Sequence, residues 1–182
     1  MLQPQNITEF YINSLKNGSV VIDATAGNGF DTLKLCRAVG DRGKVYTFDI
    51  QNQALDETAK KLRAEGLGNA KLICDSHSRL DLYIQEQVDG VIFNLGYLPG
   101  GDHSIQTKAD TTVEAIEKSL ILLKNEGFIS ITVYYGKNSG TEEKETVMKY
   151  LKHLDHKKYT VLSCDFHNRP NNPPITVIIT KN

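Results

Sequence analysis

The sequence predicts an α/β protein: an open, mainly parallel sheet with helices on both faces, closed by an antiparallel strand. Three observations carry this expectation. Apolar strand-like runs alternate with helix-periodic segments along the 182 residues, the pattern of successive βα units. The run Val20-Val-Ile-Asp-Ala-Thr-Ala-Gly-Asn-Gly29 passes from a strand through a tight glycine turn into a helix-like pattern. The β-rich segments Tyr159–Phe166 and Ile175–Thr180 have only His167–Pro174 between them. That connection is too short for a crossover helix, so the two strands pair antiparallel.

The elements follow in order. A helix is predicted over Thr8–Lys16, with Thr8 as cap and Gly18 as stop. The first strand is Val20–Asp23 and its helix spans Gly29–Val39; the second strand is Lys44–Asp49. The next helix is Asn52–Glu65, where Ala54, Leu55, Thr58 and Leu62 share a face and Gly66 ends it. Strand three is Ala70–Cys74, followed by a helical segment over Ser78–Gln87, and strand four is Gly90–Asn94. After a polar, glycine-rich loop (Leu95–Thr107), a helix over Ala109–Leu123 leads to strand five, Gly127–Tyr134. Thr141 is expected to cap a helix to Leu151, with Glu142, Glu143 and Glu145 at its positive end.

Bulk composition narrows the class. The length suits one domain over residues 1–182 with a substantial core. No apolar run approaches the roughly 20 residues of a membrane span, and Met1-Leu-Gln-Pro-Gln-Asn6 lacks the basic and apolar regions of a secretory signal. Cys36, Cys74 and Cys164 are odd in number and widely spaced. They read as reduced core thiols of a cytoplasmic protein, with neither a disulfide framework nor a metal cluster. The net charge of −1 gives no global basic signature, and it leaves a local basic patch open.

The glycine turn carries the first chemical signal. Gly27-x-Gly29 after a strand and before a helix lets a ligand approach bare backbone, the platform for an adenine-nucleoside cofactor. Asp49 ends the next strand twenty residues beyond Gly29, where such folds place a carboxylate for ribose hydroxyls. Asp75, just past strand three, reads from its position as a helix cap. His77 reads equally as pocket or surface.

The second signal is Asn94-Leu-Gly-Tyr97-Leu-Pro-Gly-Gly-Asp102-His103, past the carboxyl end of strand four, where parallel-sheet enzymes place their chemistry. The Asn94 carbonyl and the following backbone carbonyl can accept hydrogen bonds from an amine and aim its lone pair. Tyr97 can stack on an exposed base. Asp102 and His103 are candidate proton acceptors, or ordinary turn residues. Two further segments could face substrate: Tyr134-Tyr135-Gly-Lys137 after strand five, and Arg169 with Asn171 in the turn before the last strand. Each combines aromatic or amide groups with one cation, a set suited to stacking and phosphate contact.

A seven-stranded sheet with a reversed last strand resembles the Rossmann-like class I S-adenosylmethionine methyltransferases. Asn94 with an aromatic three residues on is similar to the Asn-Pro-Pro-Tyr motif of those that modify exocyclic amines, with Leu95 and Gly96 replacing the prolines. Over nearly its full length the chain resembles the YtqB-like rRNA methylase family. The resemblance rests on Asp23–Thr32, Asp75-Ser-His77, Asn94–Asp102 and Asn168–Pro174. It implies S-adenosylmethionine as cofactor, S-adenosylhomocysteine as product, and no metal. The implied cofactor residues are Asp23, Ala26, Gly27, Asn28, Gly29 and Asp31 around the methionine part, Asp49 and Gln51 near the ribose, Asp75, Ser76 and His77 at the adenine, and Asn94. Asn94, Tyr97, Asp102 and His103 would be catalytic, and Tyr97, Tyr134, Tyr135, Lys137, Arg169 and Asn171 would bind substrate.

The family is associated with MnmM-type enzymes, which implies N-methylation of the aminomethyl group on a wobble 2-thiouridine in a tRNA anticodon loop. Activity on an rRNA base or on a small-molecule amine are alternatives. A nicotinamide-dependent oxidoreductase is disfavoured by the reversed last strand, and a non-catalytic binding module by the retained Asp49 and glycine turn. With a slightly negative chain, RNA binding requires Lys and Arg to gather at the pocket mouth, and a homodimer would widen that platform.

Overall fold

The computed structural model describes residues 3–97, 105–136 and 140–182. Seven strands form one sheet: β1 (Val20–Asp23), β2 (Lys44–Asp49), β3 (Ala70–Cys74), β4 (Val88–Leu95), β5 (Leu123–Val133), β6 (Tyr159–Cys164) and β7 (Ile175–Lys181). The order is β3-β2-β1-β4-β5-β7-β6. Strands β1 to β5 pair in parallel, and β7 runs antiparallel to both β5 and β6. The expected reversal of the last strand is therefore present. The helices are α1 (Pro4–Ile12), α2 (Phe30–Val39), α3 (Asn52–Ala64), α4 (Ala109–Leu122) and α5 (Thr141–Lys152), with a 3-10 helix over His77–Leu82.

The two faces of the sheet bury separate cores, set by the alternation of side chains along each strand. Val21, Val45, Ile92 and Phe128 pack with Ile12, Leu33 and Leu62 of α1, α2 and α3. Their sequence neighbours Ile22, Tyr46, Val91, Phe93 and Ile129 pack with Leu80, Ile116, Leu120 and Val147 on the other face. Because both faces are covered, the inner strands read as continuous apolar runs. The crossovers reverse direction between adjacent β1 and β4, which leaves a crevice beyond their carboxyl ends.

Several boundaries differ from expectation. The first helix starts at Pro4 and ends at Ile12. Pro4 supplies a preset φ at the first turn, and Asn6 Oδ1 accepts from the Gln3 N–H at 2.7 Å. Thr8 is therefore no cap: it lies buried within α1, its hydroxyl 2.9 Å from that of Ser130 on β5. The segment after β3 is a short 3-10 helix, broken at Arg79 (φ −106°, ψ 16°). Only Leu80 and Ile84 there are deeply buried apolar residues, too few to hold a full α-helix to Gln87. Strand β5 begins at Leu123, directly after α4, with a register break against β4 and Glu126 at φ 63°. Gly140, not Thr141, occupies the cap of α5, at φ 78°. The thiols also differ from a uniform core set: Cys36 is buried, Cys164 is half-buried and Cys74 is exposed. Burial pushes the Cys36 thiol up to about 12, which makes it inert. Among the described residues no helix is long and apolar enough to cross a membrane.

Candidate functional site

A cavity of about 340 Å³ opens at the carboxyl ends of β1, β2, β3 and β4. Its floor is the loop after β1. Gly27 (φ 51°) and Gly29 (φ 79°) both take left-handed backbone, which glycine adopts without a Cβ penalty. The Gly29 N–H closes the turn on the Ala26 carbonyl at 2.8 Å. Helix α3 presses against this turn. A Cβ on Gly29 would lie 2.5 Å from Thr58 Oγ1 and 3.0 Å from Thr58 Cα. Lys61 Nζ donates to the Asn28 carbonyl at 2.7 Å and lies over the Phe30 ring.

Asp49 stands in the cavity wall at the end of β2. One carboxylate oxygen accepts from the Gly27 N–H and the other from the Gln51 N–H, both at 2.9 Å. A carboxylate has about four acceptor positions, so Asp49 fixes the glycine loop and retains capacity toward a ligand. Gln51 itself is the cap residue of α3.

Asp23 is placed differently. It is fully buried beneath the loop, outside the cavity wall, and accepts from the Thr32 hydroxyl (2.6 Å) and the Thr25 N–H (3.2 Å). Burial raises its carboxyl to about 7; the Thr32 bond opposes this and the charges of Asp31 and Asp49 add to it. Because the folded value exceeds the unfolded one, the native state holds the extra proton between about pH 4 and 7. Stability tied to this group therefore falls as pH rises through that window. Asp23→Asn is expected to remove that slope. Thermal melts at pH 4.5 and 7.5 should show the wild type losing ground to the variant as pH rises, by a few kcal/mol.

Asp75 and His77 line the far wall. Asp75 Oδ2 accepts from the Tyr83 hydroxyl at 2.7 Å, and Oδ1 accepts from the Ser76 N–H at 2.8 Å. The Tyr83 bond, with Ser76 and Arg79, holds this carboxyl below its usual range. Ser76, not Asp75, caps the 3-10 helix through the Ser78 N–H. His77 is buried, 8 % exposed. Its Nδ1 lies 3.1 Å from the Ala24 carbonyl, so Nδ1 carries the proton and Nε2 is the bare acceptor. Nε2 is buried with no protein partner, and burial pushes the imidazole pKa down.

Asn94 closes the cavity on the β4 side. Its N–H donates to Thr25 Oγ1 at 2.7 Å, and its side-chain Nδ2 donates to Asp31 Oδ2 at 2.8 Å. Asp31 also lies 3.4 Å from Lys34 Nζ, and Lys34 pairs with Glu9 of α1 at 2.6 Å. Tyr97 is 42 % exposed in the cavity wall, its backbone bridged to Gln106. Gly96 exchanges bonds with Thr107: its N–H donates to Thr107 Oγ1 at 2.8 Å and its carbonyl accepts the Thr107 N–H at 2.9 Å.

Glu143 stands in the first turn of α5 as expected, but its partners come from distant segments. It is buried, 6 % exposed, and accepts the hydroxyls of Thr107 (2.7 Å) and Thr112 (2.6 Å). It ties the segment behind Tyr97 to α4 and α5. Nothing local distinguishes it from Glu142, since both follow the cap of α5. Glu143→Ala is expected to leave two hydroxyl protons without an acceptor and cost about 1–3 kcal/mol. Hydrogen exchange at the Thr107 amide should speed up with it.

The remaining candidates scatter. Tyr134 (39 % exposed) accepts from Gln5 Nε2 at 3.2 Å, and burial, with the charge of Asp31, pushes its phenol up. Tyr135 lies under Lys144 Nζ at 3.6 Å, and Arg169 lies over the Phe166 ring at 3.8 Å. Asn171 takes φ 66° in the β6–β7 turn. None of these four is in the cavity wall, although β5 ends and β7 begins at the same edge of the sheet. Asp102, His103 and Lys137 lie outside the described residues. Ile50, Lys108 and Thr111 line the cavity without having been singled out in sequence. The one available signal was Ile50, an apolar residue directly after the acid of β2. Lys108 is the basic residue of the described wall.

A family model described as "Putative rRNA methylase" matches residues 45–180. A chloroplastic tRNA (mnm(5)s(2)U34)-methyltransferase of Arabidopsis thaliana is 36% identical over 179 residues, covering 92% of this chain; the chain spans 65% of that protein's length. Among solved structures, a "putative rRNA-methylase" from Clostridium thermocellum is 45% identical with a TM-score of 0.98, covering 100% of this chain and 99% of its own. A "putative methyltransferase" from Streptococcus mutans, in complex with SAH, is 38% identical with a TM-score of 0.92 over 100% and 99% of the two chains.

Proposed function

The chain belongs to the "Putative rRNA methylase" family, and from that premise we propose that it is an S-adenosylmethionine-dependent N-methyltransferase acting on the aminomethyl group of a wobble 5-aminomethyl-2-thiouridine in tRNA. The observation that carries this reading is the placement of Asn94 in the wall of one cavity with the glycine turn and Asp49. The relative from Arabidopsis thaliana supports the choice of acceptor, and the Streptococcus mutans structure supports the cofactor.

The residues present fit this cofactor. The glycine loop is bare backbone that a Cβ on Gly29 would disrupt. Asp49 has spare acceptor positions for ribose hydroxyls. Asp75, kept ionised by Tyr83, accepts from an amine, and the unpartnered Nε2 of His77 is a further acceptor at the same wall. The cofactor supplies an electrophilic methyl group on a sulfonium, whose leaving group it already carries. The protein's part is alignment. Asn94 Oδ1 accepts an N–H bond from the acceptor amine and turns its lone pair toward the methyl. Tyr97 offers an aromatic face to the base. The amine must be unprotonated to react, and product formation releases one proton.

The test supplies purified protein and methyl-labelled cofactor separately with bulk tRNA, bulk rRNA and free alkylamines, then digests the RNA to nucleosides for mass spectrometry. Label in methylaminomethyl-2-thiouridine is expected. Label confined to rRNA or to free amine would replace the acceptor and keep the chemistry.

A further inference from the structure

The side chain of Asn94 has two nearly isosteric ends, one an acceptor and one a donor. The wrong end toward the cavity would set N–H groups against the N–H groups of an amine. Asp31, in the first turn of α2, decides between them. A carboxylate only accepts, so the 2.8 Å contact between Asp31 Oδ2 and Asn94 requires the NH₂ end. Oδ1 of Asn94 is thereby turned away from Asp31.

Asp31 is itself held. Its other oxygen lies 3.4 Å from Lys34 Nζ, and Lys34 is drawn toward Glu9 at 2.6 Å. The side chain of Asp31 is 18 % exposed, so the contact is partly shielded from water. The chain Glu9–Lys34–Asp31–Asn94 joins α1, α2 and the end of β4. Asn94 is in the cavity wall and Asp31 is not. The family resemblance would place Asp31 among the cofactor ligands; its geometry instead directs it to Asn94.

We propose that Asp31 is a positioning residue, which fixes the Asn94 amide with its carbonyl toward the cavity and so makes the site select an N–H-bearing acceptor. The proposal rests on the reading of Asn94 given above.

Asp31→Asn keeps the shape and removes the acceptor-only character, so the amide at position 94 is no longer forced into one orientation. Turnover is expected to fall about tenfold, equivalent to about 1.4 kcal/mol. KM for tRNA and Kd for S-adenosylhomocysteine should stay within about twofold, since neither a base contact nor a cofactor contact is lost. An equal loss of S-adenosylhomocysteine affinity would make Asp31 a cofactor ligand and overturn the proposal, as would unchanged turnover. A second readout needs no turnover. In the wild type, the Asn94 side-chain amide signal, identified by its absence from Asn94→Ala, is expected to exchange slowly with solvent, and in Asp31→Asn rapidly. Free exchange in the wild type would overturn the proposal whatever RNA the protein methylates. Slow exchange without tRNA methylation would instead remove the acceptor and leave the Asp31–Asn94 lock standing.

Discussion

Gly29→Ala is expected to destabilise the fold and abolish cofactor binding together. Gly29 sits at φ 79°, and forcing an alanine there costs about 1–3 kcal/mol. The added Cβ would also meet Thr58 Oγ1 at 2.5 Å and the Thr58 backbone at 3.0 Å. The hydroxyl could rotate away, but the Cα of a helix packed on the sheet cannot, and such overpacking costs a further 1–3 kcal/mol or so. The relief is a shift of α3 away from the loop. That shift would loosen Lys61 from the Asn28 carbonyl and move the N–H of Gly27 from Asp49. Thermal melts with and without S-adenosylhomocysteine measure both effects. A variant that melts near wild type and is still stabilised by ligand would show that the loop tolerates a side chain, contrary to the geometry.

Asn94→Ala and Asp49→Ala should fail in opposite ways. On the proposed function the Asn94 carbonyl would orient the acceptor amine, so its loss is expected to lower turnover about a hundredfold, in line with loss of orientation at the reacting centre. Cofactor affinity should stay within about twofold. Asp49 braces Gly27 and on the proposed function would accept the ribose hydroxyls, so its loss is expected to weaken S-adenosylhomocysteine by about 2–3 kcal/mol, the scale of a charge-assisted hydrogen bond with its bracing. Isothermal titration and single-turnover methylation separate the two. If both variants lost affinity and turnover in parallel, this division of labour would be wrong.

How much of this could be read from sequence depends on how local each cause is. β1, β2 and β3 occupy the spans expected for them, because each is a short apolar run stopped by a turn or an acid. The reversed β7 followed from a connection too short to cross over. The glycine turn and Asp49 were legible because the backbone itself demands those residue types at that spacing. Other features were set by contacts distant in sequence. Thr8 looks like a cap until Ser130 meets it across the sheet. Glu143 looks like a solvated helix-end acid until Thr107 and Thr112 close on it. The Asp31–Asn94 contact was not legible, because only the fold brings Asn94, 63 residues on, to that carboxylate. The burial of Asp23 beneath the loop, outside the cavity wall, is likewise set by the fold and not by the local motif.

The charge question has a partial answer. Lys108 stands in the cavity wall, and Lys144 and Arg169 cover the Tyr135 and Phe166 rings. The last two are cations held on aromatic faces outside the cavity wall.

The most direct measurement offers the protein and S-adenosylmethionine two otherwise identical tRNAs, one carrying 5-aminomethyl-2-thiouridine at the wobble position and one with 2-thiouridine lacking the aminomethyl group. The first is expected to gain one methyl group on that nucleoside and the second to gain none. Methylation of both tRNAs, or of the first at any other nucleoside, would contradict the proposed function.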